Sequence, residues 1–350
     1  TLIRENEIII VDGTAGLIIV DPDEVILSEY EVLQKQWLLG QQKLKRLRRN
    51  RATTIDGADI ELNANIELPE DVASAKENGA TGVGLFRTEF LFLNRGDLPS
   101  EDEQFEAYRQ VVRNMKSSCI TIRTFDLGAD KQPEGYTRVA PNPALGQRAI
   151  RLCLAEPQLF HQQLRAILRA SNYGKIRILI PMLSNVHEID QALHLIAEAK
   201  ESLDIGGIAY DRKIEIGGMI EVPAAALSIK AFLKKLDFIS IGTNDLIQYT
   251  LAIDRTDDAV AHLYDPMHPA ILHLLSHIIS AANRANKSVA VCGEIAGDPL
   301  ITRLLLGMGL RTFSMHPAHL LTVKQKILTS DLREATAITK KILRAQHPDR

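Results

Sequence analysis

The 350 residues (38.9 kDa) are 45% hydrophobic and 24% charged, which argues against a disordered or collagen-like chain and suffices for one large α/β barrel or two average domains. A net charge of −3, with a pI near 6.4, counts against a general nucleic-acid binder, and no apolar run reaches the roughly 18 residues that a membrane span needs. Three scattered cysteines, Cys119, Cys153 and Cys292, show no CxxC spacing; this disfavours a disulfide framework or structural zinc and fits a reducing, cytoplasmic setting.

The chain opens on TLIRENEIII, which lacks the features of a signal peptide and an initiator Met, as a piece of a longer protein would. EIIIVDG and GLIIVDP then predict one β-hairpin, punctuated by Asp12-Gly13 and Asp21-Pro22. From Ser28 to Arg51 the apolar residues Val32, Leu33, Trp37, Leu44 and Leu47 recur at helical spacing, predicting a linker helix interrupted at Gly40. Its basic run (Lys43, Lys45, Arg46, Arg48, Arg49, Arg51) reads as a solvated face near a helix C-terminus, with no aromatic residue to stack a base.

From about residue 58 short apolar runs alternate with amphipathic segments. The predicted strands are 60–66, 81–85, 119–125, 175–182, 213–220, 237–242, 288–293 and 310–315. Helical patterns lie between them; Ser100 and Pro69 mark two helix starts, Gly79 one helix end, and two helices come after the last strand. Eight strands alternating with helices predict an α/β fold, a TIM (β/α)8 barrel, with a doubly wound open sheet as rival. The third βα connection, TFDLGADKQPEGYTRVAPNPALG, is unusually long, as functional loops often are.

In such a barrel chemistry sits at the C-terminal strand ends. At those ends stand Arg87 with Thr88 and Glu89, Arg123 then Asp126, Glu221 before Val222-Pro223, Thr243-Asn244-Asp245, and Cys292 before Gly293-Glu294. Arg255 lies a short helix beyond Asp245, and Arg148 is a further candidate in NPALGQRAIR. Guanidinium groups bind phosphate or carboxylate bidentately. Glu221 and Asp245 make a sparse oxygen site of the kind that suits Mg2+, with substrate and water completing an octahedron. Gly242 lets backbone approach a ligand, the N–H groups of Asn244 and Asp245 at a helix start can donate to a phosphate, and Cys292 is a candidate proton donor near carbon. Singly, each Arg or Glu is equally a salt-bridge residue, Cys292 a small buried one, and Asp245 an N-cap. Jointly they describe a phosphorylated anion chelated to Mg2+ beside a thiol. His268, His273 and His277 lack HExxH spacing and read as ordinary helix histidines, and Glu215 as a locally paired strand residue.

The segments GVGLFRTEFLF, IRTFDLGADK, NPALGQRAIR, LRAILRAS, GGMIEVPAAA, FISIGTNDLIQYTLAIDR, YDPMHPAI and VCGEIAGDP resemble the phosphoenolpyruvate (PEP)-binding domain of enzyme I of the bacterial PEP:sugar phosphotransferase system. Several are shared with PEP synthase and pyruvate phosphate dikinase. The resemblance implies the remnant of a mobile phosphohistidine domain over 1–27, a linker helix over 28–57, and a PEP-binding, dimerising barrel over 58–350. It implies that Arg87, Arg123 and Arg255 contact the PEP phosphoryl group and bridging oxygen, that Asn244 and Asp245 contact the phosphate, and that Arg148 and Lys131 match further active-site positions. It implies Mg2+ on Glu221 and Asp245, and Cys292 as the acid that protonates enolpyruvate. A cytoplasmic homodimer that hands the phosphoryl group to the carrier protein HPr is implied too. One departure stands out: none of the ten histidines lies in the family's Gly-Gly-x-x-Ser-His acceptor context, so this stretch is expected to be a donor site that transfers nothing alone. The rival readings are a dikinase fragment, a PEP-sensing module without chemistry, and an Mg2+-dependent aldolase or lyase.

Overall fold

The structure, a computed structural model, describes residues 3–345 except 14, 94, 96, 117 and 128–141, so Lys131 lies outside the described residues. It divides into two compact units, Thr1–Arg49 and Asn50–Arg350.

In the first unit, β1 (Ile9–Asp12) and β2 (Leu17–Val20) form the expected hairpin, antiparallel with Ile9 opposite Val20. Helix α1 (Glu24–Lys45) begins earlier than the expected Ser28, because Asp23 caps it by accepting the Ile26 N–H at 2.8 Å. It also runs through Gly40, where an interruption was expected. One exposed glycine costs only about 1 kcal/mol against alanine, too little to break a helix of 22 residues. Lys43 and Lys45 fill its last turn and a 3-10 turn, Arg46–Arg49, continues it, where cations complement the helix dipole.

The second unit opens with β3 (Glu61–Ile66), α2 (Asp71–Glu77), β4 (Val83–Arg87), α3 (Glu101–Met115) and β5 (Ile120–Arg123). It continues with α4 (Ala149–Ala155), α5 (Pro157–Ser171), β6 (Ile176–Ile180), α6 (Val186–Ile205), β7 (Glu215–Ile220), α7 (Pro223–Leu227), α8 (Ile229–Phe232) and β8 (Phe238–Ile241). It closes with α9 (Thr243–Leu251), α10 (Pro269–Arg284), β9 (Ser288–Val291), α11 (Thr302–Met308), β10 (Thr312–Met315), α12 (Leu320–Leu328) and α13 (Leu332–Ile342). The strands pair in parallel as a closed barrel in the order β10-β3-β4-β5-β6-β7-β8-β9, the TIM architecture expected from the alternating runs. Among the described residues no helix is long and apolar enough to cross a membrane.

Caps mark helix starts where the sequence carries them. Ser100 and Glu103 form a reciprocal capping box on α3, and Asn185 with Glu188 another on α6. Gly79, at φ +74°, ends α2.

Strand alternation decides what the barrel encloses. One face of each strand packs outward against the helices: Leu62, Ala64 and Ile66 of β3, Ile120 and Ile122 of β5, Ile239 and Ile241 of β8, Val289 and Val291 of β9. The interior holds a separate small cluster, Leu85, Leu179, Met219, Phe238 and Cys292. Below it Arg177 stacks over the Phe238 ring at 4.4 Å. Two residues beyond the interior Leu85 stands Arg87; two beyond Met219 stands Glu221. The same period brings Arg123 after Thr121 and Cys292 after Ala290. The polar mouth is thus the continuation of the inward face past its apolar layer.

Candidate active site

Arg123 ends β5 with its side chain only 12% exposed. One terminal nitrogen meets Glu89 at 3.1 Å and the other Asp126 at 2.9 Å. Burial works against its charge, but Glu89, Asp126 and Glu221 outweigh burial and hold the guanidinium above its usual range. The strand end is itself braced. Gln163 of α5 accepts the Phe125 N–H at 2.8 Å and donates to Thr88 Oγ1, which donates in turn to the Arg123 carbonyl at 3.0 Å.

Arg148, just before α4, reaches the same acid: its Nε and a terminal nitrogen donate to Asp126 Oδ1 at 3.1 and 2.9 Å. It also donates to the Tyr249 hydroxyl at 3.3 Å, and Tyr249 donates to the Ala144 carbonyl at 2.6 Å. Asp245, in the first turn of α9, makes no N-cap bond. It lies 3.5 Å from Arg148 and 3.8 Å from Arg255. Arg87, the last residue of β4, pairs with Glu67 at 2.8 Å and is more open, with 35% of its side chain exposed. The geometry therefore joins Arg123, Arg148, Asp245 and Arg255 in one chain of ion pairs.

Glu221 follows β7 and is buried at 1% exposure. Its Oε1 accepts the Met182 N–H at 2.6 Å, for which Met182 adopts the left-handed backbone (φ +58°) that a side chain disfavours. Burial, then the nearby Asp245 and Asp126 carboxylates, push the Glu221 carboxyl well above its ordinary range. A Cβ built on Gly242 would stand 2.6 Å from Glu221 Oε2, so only glycine lets β8 end this close to the carboxylate. Among the described residues, four arginines (Arg87, Arg123, Arg148, Arg255) face five carboxylates (Glu67, Glu89, Asp126, Glu221, Asp245). That excess of negative charge, with a buried carboxyl driven toward its protonated form, suits a hard divalent cation on Glu221 and Asp245.

Cys292 is 2% exposed in the barrel interior. Its thiol donates to the Ile241 carbonyl at 3.5 Å. Burial pushes the thiol up to about 11; the Ser240 hydroxyl facing it and the charges of Arg123 and Arg87 moderate the rise against Glu221. At neutral pH it therefore carries its proton. Asn244 is held by Glu294, donating to its carboxylate at 3.0 Å and accepting its N–H at 2.9 Å. A cavity of about 720 Å³, lined by Asn65, Glu67, Arg87, Cys292, Glu294 and His316 among others, opens over this end of the barrel. Another, of about 530 Å³ beside α3 and α5, contains Arg165, already paired with Glu101 at 2.7 Å, and holds none of the mouth residues.

Glu89 is not legible as a partner from the sequence, and Asp126 is marked there only by its position at a strand end. Because Asp126 is the shared acceptor of two buried arginines, Asp126→Asn is expected to destabilise the barrel by about 1–3 kcal/mol, the charge being lost while one acceptor oxygen remains. A urea midpoint equal to that of the parent chain would contradict this.

Over residues 41–332 the chain matches the family described as PEP-utilising enzyme, PEP-binding domain. It is 57% identical to a phosphoenolpyruvate-protein phosphotransferase of Cupriavidus necator, covering 99% of this chain and 60% of that protein. The proteins of the same name from Geobacillus stearothermophilus and Bacillus subtilis are each 44% identical over 97% of this chain and 59% and 60% of their own lengths. The chain thus spans about 60% of the curated relatives it matches. The chain belongs to the family of PEP-utilising enzymes and carries their PEP-binding domain.

Proposed function

We propose that this chain is the PEP-binding part of an enzyme I-type phosphoenolpyruvate-protein phosphotransferase, binding PEP and Mg2+ at the barrel mouth. The meeting of buried arginines, two carboxylates and a protonated thiol at one strand-end surface carries the reading. Arg87, Arg123, Arg148 and Arg255 neutralise the phosphoryl and carboxylate charges, and Asn244 with the start of α9 donates to the phosphate. Lys131, in the chain segment after β5, joins them by resemblance. Glu221 and Asp245 hold Mg2+, which supplies charge neutralisation on substrate oxygens when bound.

The reaction is in-line transfer of the phosphoryl group to a histidine carried outside this barrel, where positioning and charge neutralisation provide most of the acceleration. The P–O bond to the enol oxygen breaks as the bond to the histidine nitrogen forms. Cys292 then gives its proton to the methylene carbon of the enolate, and pyruvate leaves. Residues 1–27 belong to a mobile phosphohistidine domain, 28–57 to a linker, and the barrel dimerises. The phosphoryl group passes on to HPr in the cytoplasm. The relatives' name, phosphoenolpyruvate-protein phosphotransferase, favours this over a dikinase.

Two substitutions probe the metal pair. Asp245→Ala is expected to weaken Mg2+-dependent PEP binding by about 2–5 kcal/mol, the cost of removing a charge from a desolvated site. Gly242→Ala drives a methyl group into Glu221 Oε2 and is expected to weaken it ~10-fold or more, which is about 1.4 kcal/mol. Calorimetric titration with PEP at saturating Mg2+ reads both; unchanged affinity in either variant would remove the pair from the site.

A further inference from the structure

The carbonyl of Cys292 lies past the end of its ladder. The last β9–β10 pair is Val291 with Phe313, so no residue of β10 pairs with Cys292. On its other side the Cys292 N–H is taken by Ile241 at 3.1 Å. The partner of its carbonyl comes from two strands away: Asn65 of β3 donates from Nδ2 at 2.9 Å. Asn65 in turn accepts a bond from Ser314 Oγ of β10, on the strand between, at 2.6 Å. The amide orientation follows from chemistry, because a carbonyl only accepts; the NH2 must face Cys292 and the oxygen must face the serine. The β3–β4 register shifts between Ala64 and Asn65, and such irregularities re-aim a side chain. Asn65 also lines the same cavity as Cys292 and Arg87.

We propose that Asn65, oriented by Ser314, is the positioning residue for Cys292: the pair straps the end of β9 across the barrel mouth and fixes where the thiol points. Neither side chain reaches the substrate in this role; both act through the Cys292 backbone. The inference deepens the proposed function and rests on it for its catalytic meaning, while the strap itself is a matter of geometry. A proton donor displaced by about 1 Å can lose ~100-fold in rate, so a bond at the donor's own carbonyl matters more than its count in the fold suggests.

The test compares Asn65→Asp, which cannot donate to the carbonyl yet still accepts from Ser314, with Ser314→Ala, which leaves the amide unoriented. Two readouts are taken on the whole chain. The first is native-state alkylation by iodoacetamide, resolved by mass spectrometry at each cysteine. Cys292 is expected to react ~10-fold faster in Asn65→Asp and by a smaller factor in Ser314→Ala, with the buried Cys153 unchanged as internal control. The second is Mg2+-dependent exchange of solvent deuterium into the methyl group of pyruvate. It is expected to fall ~10-fold or more in Asn65→Asp while the PEP dissociation constant stays within ~2-fold. Wild-type behaviour of both variants in alkylation would overturn the proposal, as would a parallel rise at Cys153, which marks general loosening. Should the parent chain show no exchange, the proposed chemistry fails, and the alkylation pattern alone still decides the role of Asn65.

Discussion

Replacing Cys292 by alanine is expected to lower deuterium exchange into the pyruvate methyl group by ~10²–10⁴, the usual contribution of a positioned acid–base group, with PEP affinity kept within ~2-fold. The thiol sits in the apolar interior cluster and donates weakly to the Ile241 carbonyl, so its loss removes little binding. Its high pKa gives the direction of the pH dependence. Taking a proton from pyruvate needs the thiolate, so exchange in the parent chain should climb ~10-fold per pH unit from neutrality toward about 11. Protonating the enolate needs the thiol, which is the form present throughout that range. Because the folded-state value lies above the ordinary 9.0, the associated stability is complete below pH 9 and is lost as pH rises through about 11. Exchange that is flat with pH, or that survives in Cys292→Ala, would assign the proton to another group.

Arg123→Ala is expected to do the most damage of any arginine substitution, in two separate measurements. It strands the buried Glu89 without its cation and leaves the buried Asp126 to Arg148 alone; removing one partner of a buried pair costs about 3–5 kcal/mol, a large share of a domain's stability. It also removes a desolvated charge from the anion site, worth about 2–5 kcal/mol, or a ~30- to 3,000-fold weaker PEP dissociation constant. Arg87→Ala separates the two effects. Arg87 is more open and, among the described residues, paired only with Glu67, itself 39% exposed, so PEP affinity should fall with far less loss of stability. Equal destabilisation in the two variants, by urea unfolding, would contradict the difference in burial.

Much of this site was legible because a barrel converts sequence position into spatial position. Arg123, Glu221 and Cys292 each end or follow an apolar run, and alternation aims each inward. Arg87 was legible as a residue after its strand; it is the last residue in it, because β4 stays paired with β5 as far as Arg87 opposite Arg123. The partners were harder. Glu89 and Asp126 stand inside recognisable segments, yet nothing along the chain says that one arginine lies between them. Asp126 and Arg148 are linked only through the closed fold. Asn65 did leave a signal: ELNANI places Asn63 and Asn65 on the inward face of a strand otherwise apolar from Leu62 to Ile66, and inward polar residues at a mouth carry bonds. Gly40 misled because glycine punctuates loops more strongly than it breaks a long solvated helix.

The most direct test is a calorimetric titration of the chain with PEP, run with saturating Mg2+, with EDTA, and with Arg123→Ala in Mg2+. Saturable binding at one site per chain, abolished by EDTA and by the substitution, is the predicted result. PEP binding that is indifferent to both, or no binding with Mg2+ present, would contradict a PEP site built from Arg123, Glu221 and Asp245 at the barrel mouth.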